Sequence, residues 1–206
     1  PDGYVALNNI DLSVEPGEMV FLTGHSGAGK STLLKLIAAI ERPTSGTITI
    51  SGQNIAQLKL GAIPYLRRKI GFIFQDHKLL FDRNVFDNVL LPLQIGSFEN
   101  HMMVSRVRAA LDKVGLLKKE KSMPIALSGG ERQRLCIARA VVHRPSILIA
   151  DEPTGNLDVD YARDIMAMFT SFNQVGVTVL IATHDASLLE DTQHRVLSLK
   201  QGKLAV

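Results

Sequence analysis

Gly24-His25-Ser26-Gly27-Ala28-Gly29-Lys30-Ser31, with Thr32 following, is the stretch that decides how this chain is read. Its spacing is that of a phosphate-binding loop, G-x-x-x-x-G-K-[ST]. The glycines let the backbone curl so that successive N–H groups point inward at phosphate oxygens. The helix predicted to start at Lys30 adds the positive end of its dipole to the same spot. Lys30 supplies a mobile cation for the terminal phosphates, and Ser31 a hydroxyl for Mg²⁺. The context fits: Glu18 to Thr23 reads as a buried strand, and Lys30 to Ile40 has helical spacing with Leu33, Leu34, Ile37 and Ala38 on one face.

On either side, Ala6 to Val14 alternates loosely before a turn at Pro16-Gly17, Thr47–Ser51 is β-branched and alternating, a strand signal, and Gly71 to Phe74 is an apolar run ending at Gln75. Helical spacing covers Val85–Leu93, Val104–Val114 (stopped by Gly115), Glu131–His143 and Asp160–Phe172. Ile147–Ala150, Val177–Ala182 and Arg195–Leu199 read as strands. Strands alternating with helices predict an α/β core with a mostly parallel sheet. The helix-rich stretch of about 76–144 predicts an α-helical subdomain inserted into one domain spanning residues 1–206.

Ile147-Leu148-Ile149-Ala150 delivers Asp151 and Glu152 to the end of a buried strand. There Asp151 is a candidate to hold Mg²⁺, directly or through water, and Glu152 to orient or deprotonate an attacking water. Leu127-Ser128-Gly129-Gly130-Glu131 poses a different question, because a serine and two glycines before a helix form a second anion-receptive helix start. Read alone, it is an ordinary capped helix. One nucleotide needs one cradle, so the economical reading gives the second to a nucleotide held by another copy of the chain.

The run Leu127 to Gln133 resembles the signature motif of ABC ATPases, and its place between the phosphate loop and the Asp151-Glu152 strand is the family's order. Gln75 matches the family's Q-loop glutamine, Gly155-Asn156-Leu157-Asp158 its D-loop, and His184 its switch histidine. Alone, His184 would be a surface or capping group and Gln75 would carry no signal. The resemblance implies a RecA-like core, an N-terminal antiparallel β subdomain, and Mg²⁺-dependent hydrolysis of ATP. It also implies metal contacts from Ser31, Gln75 and Asp151, a γ-phosphate contact from His184, and Asp158 at the seam of a head-to-tail homodimer. Members of the family open with a strand and an aromatic that stacks on adenine. This chain starts just after that point, so truncation is expected, with Tyr4 an imperfect substitute.

Phe21 to Lys30 and Ile70-Gly71-Phe72-Ile73-Phe74-Gln75-Asp76-His77 are similar to the FtsE-type, cell-division branch of the family. That implies an FtsX-like integral membrane partner docking near residues 75–86, where Leu79, Leu80, Phe81, Val85 and Phe86 make an apolar segment. It implies a place on the cytoplasmic face of the bacterial inner membrane and a role in regulating cell-wall hydrolases. ATPases of lipoprotein-release and macrolide-export systems share Gly155 to Asp158 and stay open as alternatives. A remoter one is a soluble ABC protein bound to nucleic acid, but such proteins carry two ATPase halves or a long coiled-coil insertion, which 206 residues do not hold. No nucleic acid is therefore expected.

The bulk composition agrees. Hydrophobic residues at 46% support a buried core, while the longest apolar runs fall far short of the ~20 residues of a membrane span. No signal-peptide pattern opens the sequence, so a soluble, cytoplasmic chain is expected. Cys136 is the single cysteine and excludes an internal disulfide. A net charge of +3, scattered apart from Arg67-Arg68-Lys69 and Lys118, Lys119, Lys121, reads as solvated surface, with attraction to an anionic surface of lipid headgroups or nucleic acid the alternative that charge alone does not decide.

Overall fold

The computed structural model describes residues 5–96, 98–155, 157–189 and 192–205. Tyr4 and Asn156, both singled out above, lie outside them. The centre is a six-stranded sheet. In chain order its strands are β1 (Met19–Thr23), β4 (Ile70–Ile73), β5 (Ile147–Asp151), β6 (Thr178–Ala182), β7 (Arg195–Lys200) and β8 (Lys203–Ala205). Their spatial order is β4-β5-β6-β1-β7-β8, and every pairing is parallel except β7 with β8. A separate antiparallel pair joins β2 (Thr49–Ile50) to β3 (Gln53–Asn54). Its two-residue turn, Ser51-Gly52, has φ of 48° and 77°, the positive values such a hairpin turn requires.

The central strands are apolar on both faces because both are covered. Met19, Phe21, Leu148, Ala150, Val179 and Ile181 face one core, filled by the helices α3 (Val85–Ile95), α4 (Asn100–Lys113), α5 (Gly129–Val141) and α6 (Val159–Gln174). Val20, Leu22, Ile149, Leu180 and Ala182 face the other, covered by α1 (Lys30–Ile37), with Ile50, Ile55 and Leu66 of α2 (Ile63–Arg67). The two-residue alternation of a strand thus sorts adjacent residues into different cores. Helix α5 lies so close to β4 that a Cβ on Gly71 would come 2.3 Å from the Ala140 carbonyl oxygen.

The predicted elements are present with shifted ends. Helix α1 stops at Ile37 rather than Ile40, with Ala39 in the left-handed region. Helix α4 starts four residues earlier than its periodicity indicates and gives way to Gly115 at φ 70°. The Ala6–Val14 stretch forms no strand among its described residues; instead the Asn8 N–H bonds the Gly202 carbonyl. Among the described residues no helix is long and apolar enough to cross a membrane.

Candidate functional site

Parallel strands in register bring several carboxyl ends to one edge of the sheet, the usual place for a ligand in such folds. β1 runs into the phosphate loop, β4 into Gln75, β5 ends on Asp151, and β6 is followed by Thr183 and His184. A cleft of about 510 Å³ opens there, lined by Ala6, residues 25–32, Gln75, Glu152 and His184. Its size is that of an ordinary small-molecule site.

The loop is built as its glycines require. Gly24 sits at φ 153°, and a Cβ there would lie 2.3 Å from the Leu199 carbonyl oxygen. Gly29 caps α1 at φ 106°, and a Cβ would meet the Ala6 carbonyl oxygen at 2.7 Å. The Ala28 carbonyl accepts from the Gly202 N–H at 3.0 Å, tying the back of the loop to the β7–β8 turn. Lys30 is 7% exposed; its ammonium donates to the Gly24 carbonyl at 2.6 Å and stands 3.5 Å from Glu152 Oε1.

Glu152 has a left-handed backbone, φ 51°, a conformation costly for a non-glycine residue and concentrated at functional sites. Its N–H bonds the Ala182 carbonyl of β6. On Oε2 it accepts from the His184 N–H at 3.2 Å, and His184 Nδ1 lies 2.8 Å away. The fully buried Thr183 fixes that histidine's chain, bonding Leu22 through its N–H and accepting from the Asp185 N–H. Carboxylate, lysine and histidine therefore form one connected group.

Asp151, at the end of β5 next to Glu152, lies near the Ser31 hydroxyl, and its Oδ1 is buried without a partner. Burial pushes its carboxyl above the usual range, with Glu152 adding to the effect and Ser31 and Lys30 opposing it. An unpartnered buried oxygen beside a hydroxyl suits a hard cation that takes oxygen ligands.

Ser128, Gly129 and Gly130 are not among the residues lining this cleft. Ser128 caps α5 by accepting from the Glu131 N–H, while Glu131 accepts from the Ser128 N–H, a closed capping box. Leu127 is buried beneath it, and Ser128 and Gly129 face solvent. Asp158 caps α6 through the Tyr161 N–H. The structure thus gathers the lysine loop, Gln75, Asp151, Glu152 and His184, and leaves the serine-glycine turn and Asp158 elsewhere.

Sequence reasoning missed the supports of the segment after Gln75. Asn88, fully buried, accepts from the Leu80 N–H and donates to the carbonyls of Leu80, Arg83 and Asn84. From α5, Arg139 donates to the carbonyls of His77 and Lys78. Neither residue belongs to a recognisable motif. Ala6 in the cleft carried no signal either.

Comparison with known proteins matches this geometry. The model of the family described as "ABC transporter" covers residues 7–155. The cell division ATP-binding protein FtsE of Escherichia coli (strain K12) is 57% identical over 202 residues, 98% of this chain and 91% of that protein. FtsE of Bacillus subtilis (strain 168) is 44% identical, covering 98% of this chain and 89% of the relative. The dimeric structure of MJ0796, a bacterial ABC transporter cassette, superposes with a TM-score of 0.90 at 35% identity, covering 98% of this chain and 89% of that one. A dimeric post-hydrolysis state of MJ0796 bound to ADP and Pi gives 0.89 at 34%, with the same coverage. The chain belongs to the ABC transporter family of ATP-binding, ATP-hydrolysing domains, in the branch of the cell division protein FtsE.

Proposed function

We propose that this chain is the ATPase subunit of a bacterial cell-division complex. It works as a head-to-tail homodimer beneath an FtsX-like integral membrane protein on the cytoplasmic face of the inner membrane. The carrying observation is the split between the two anion-receptive helix starts: α1 opens into the cleft with Glu152 and His184, whereas α5 opens to solvent outside it.

In this reading each ATP lies between residues 24–32 of one protomer and Ser128, Gly129 and Gly130 of the other, which also brings Leu127 and Glu131 to the seam. Loop N–H groups and Lys30 hold the phosphates in line for attack. Glu152 takes the proton of the attacking water, and His184 holds its Oε2 so that the carboxylate keeps one orientation. Ser31, Asp151 and Gln75 would hold Mg²⁺, which when bound neutralises charge on the phosphates. Asp158 packs near the opposite site. Residues 76–144 form the helical unit that carries the signature turn.

The docking surface for the membrane partner is the exposed part of segment 75–86 around Phe81, since Leu79 and Val85 are buried in the core. Phe81 is 51% exposed, yet the backbone around it is fixed by Asn88 and Arg139. A rigid loop offering an apolar side chain to solvent is suited to receive a partner's helix. Phe81→Asp is expected to leave ATP hydrolysis within about twofold, since surface changes rarely disturb a fold, and to abolish recovery of the membrane protein with the tagged chain from solubilised membranes. Full recovery would reject docking at this surface.

A further inference from the structure

The signature turn carries an electrostatic contradiction. A turn offering N–H groups to phosphate is followed directly by Glu131, in the first turn of α5. That carboxylate stabilises the helix start but repels an incoming anion. Both of its oxygens are occupied. Oε2 accepts from the Ser128 N–H at 3.1 Å, and Oε1 lies 2.5 Å from Lys119 Nζ.

Lys119 is placed for this by a turn that also receives the first N–H groups of α3. The buried Leu116 anchors it, and the Lys119 N–H bonds the Leu116 carbonyl. Arg108 of α4 grips the neighbouring Glu120 through both carboxylate oxygens, at 3.0 and 3.1 Å. The carbonyls of Glu120 and Ser122 accept from Phe86 and Val85, at the start of α3. The turn is held from two sides, and its lysine reaches the capping box.

We infer that Lys119 is a positioning residue of the composite site: it neutralises Glu131, so that the signature turn receives the phosphates of the partner protomer's nucleotide. Without it, the Glu131 carboxylate would oppose closure of the pair around ATP. The inference rests on the shared-nucleotide reading above. Lys119 acts through Glu131, setting the charge of the turn that meets the phosphates.

The test uses the full chain in a Glu152→Gln background, following ATP-driven dimerisation by light scattering as ATP is titrated. Lys119→Met is expected to raise the half-saturating ATP concentration about fivefold, while ATP affinity at the monomer's own loop, read with a fluorescent ATP analogue, stays constant. Lys119→Arg is expected to behave as the parent. The decisive variant combines Lys119→Met with Glu131→Gln, because glutamine preserves the capping box without the charge. The double variant is expected to return to within about twofold of the parent. Dimerisation of Lys119→Met at the parental ATP concentration, or a double variant no better than the single, overturns the inference. So does a lowered Tm in Lys119→Met that Glu131→Gln fails to restore, which marks a purely structural ion pair. Failure of the parent itself to dimerise at saturating ATP would instead sink the shared-nucleotide reading, and the inference with it.

Discussion

Glu152 is held in a conformation that only its surroundings justify. Its backbone is left-handed, its carboxylate is 8% exposed, and its oxygens are divided between Lys30 and His184. Glutamine fits the same space and keeps a carbonyl oxygen toward His184, but it cannot take a proton from water. Glu152→Gln is therefore expected to slow ATP hydrolysis by about 10³-fold while nucleotide binding persists, read by phosphate release and by equilibrium binding. Hydrolysis at the parental rate would remove Glu152 from the chemistry. At this scale the sequence was informative where chemistry needs a particular group at a particular spacing, as in Gly24 to Ser31 and Asp151-Glu152. It was silent on Ala6, whose part is a carbonyl oxygen and a wall. It was silent also on the Lys119 link, which joins residues twelve positions apart through a turn that has no periodicity.

Helix α5 and the loop after β4 show what an element contributes beyond its motif. The first turn of α5 carries the signature residues, and ten positions further on Arg139 grips the His77 and Lys78 backbone. His77 and Lys78 are both left-handed, at φ 61° and 46°, so the loop makes a sharp turn that the arginine and Asn88 together hold. Asn88→Ala would leave the Leu80 N–H and the Arg83 carbonyl without their side-chain partner, while the Leu80 and Asn84 carbonyls would keep only their backbone donors. It is expected to lower unfolding stability by about 2–4 kcal/mol, measured by urea denaturation; a change below about 0.5 kcal/mol would mean the loop is held by other contacts. The helices and buried strands were legible because their apolar spacing repeats. β2 was legible in the β-branched Thr47–Ser51 run, whereas the short α2 and β3 were not, being too brief to show a period. The Ala6–Val14 stretch alternates yet forms no strand among the described residues; its backbone runs beside the phosphate loop, and the Asn8 N–H bonds the Gly202 carbonyl instead.

Across the whole molecule, two helix starts suited to phosphate face different surroundings, and in the proposed head-to-tail pair a second protomer would turn that separation into one enclosed site. The known dimeric cassettes that superpose on this chain agree with pairing as its working state. Gly129 allows a direct test of which protomer supplies what. A Cβ there would meet nothing within 4 Å, so Gly129→Asp adds an anion to the signature turn with little steric cost to the fold. The second partner in the test is Lys30→Ala, which disables the loop. In a head-to-tail pair, a mixed dimer of the two variants contains one composite site with an intact lysine loop and an intact signature turn. The decisive measurement is ATPase activity of the two purified variants, separately and mixed. The account predicts near-absent activity in each alone and clear recovery on mixing. A mixture as inactive as its components, or full activity of Gly129→Asp by itself, would contradict it.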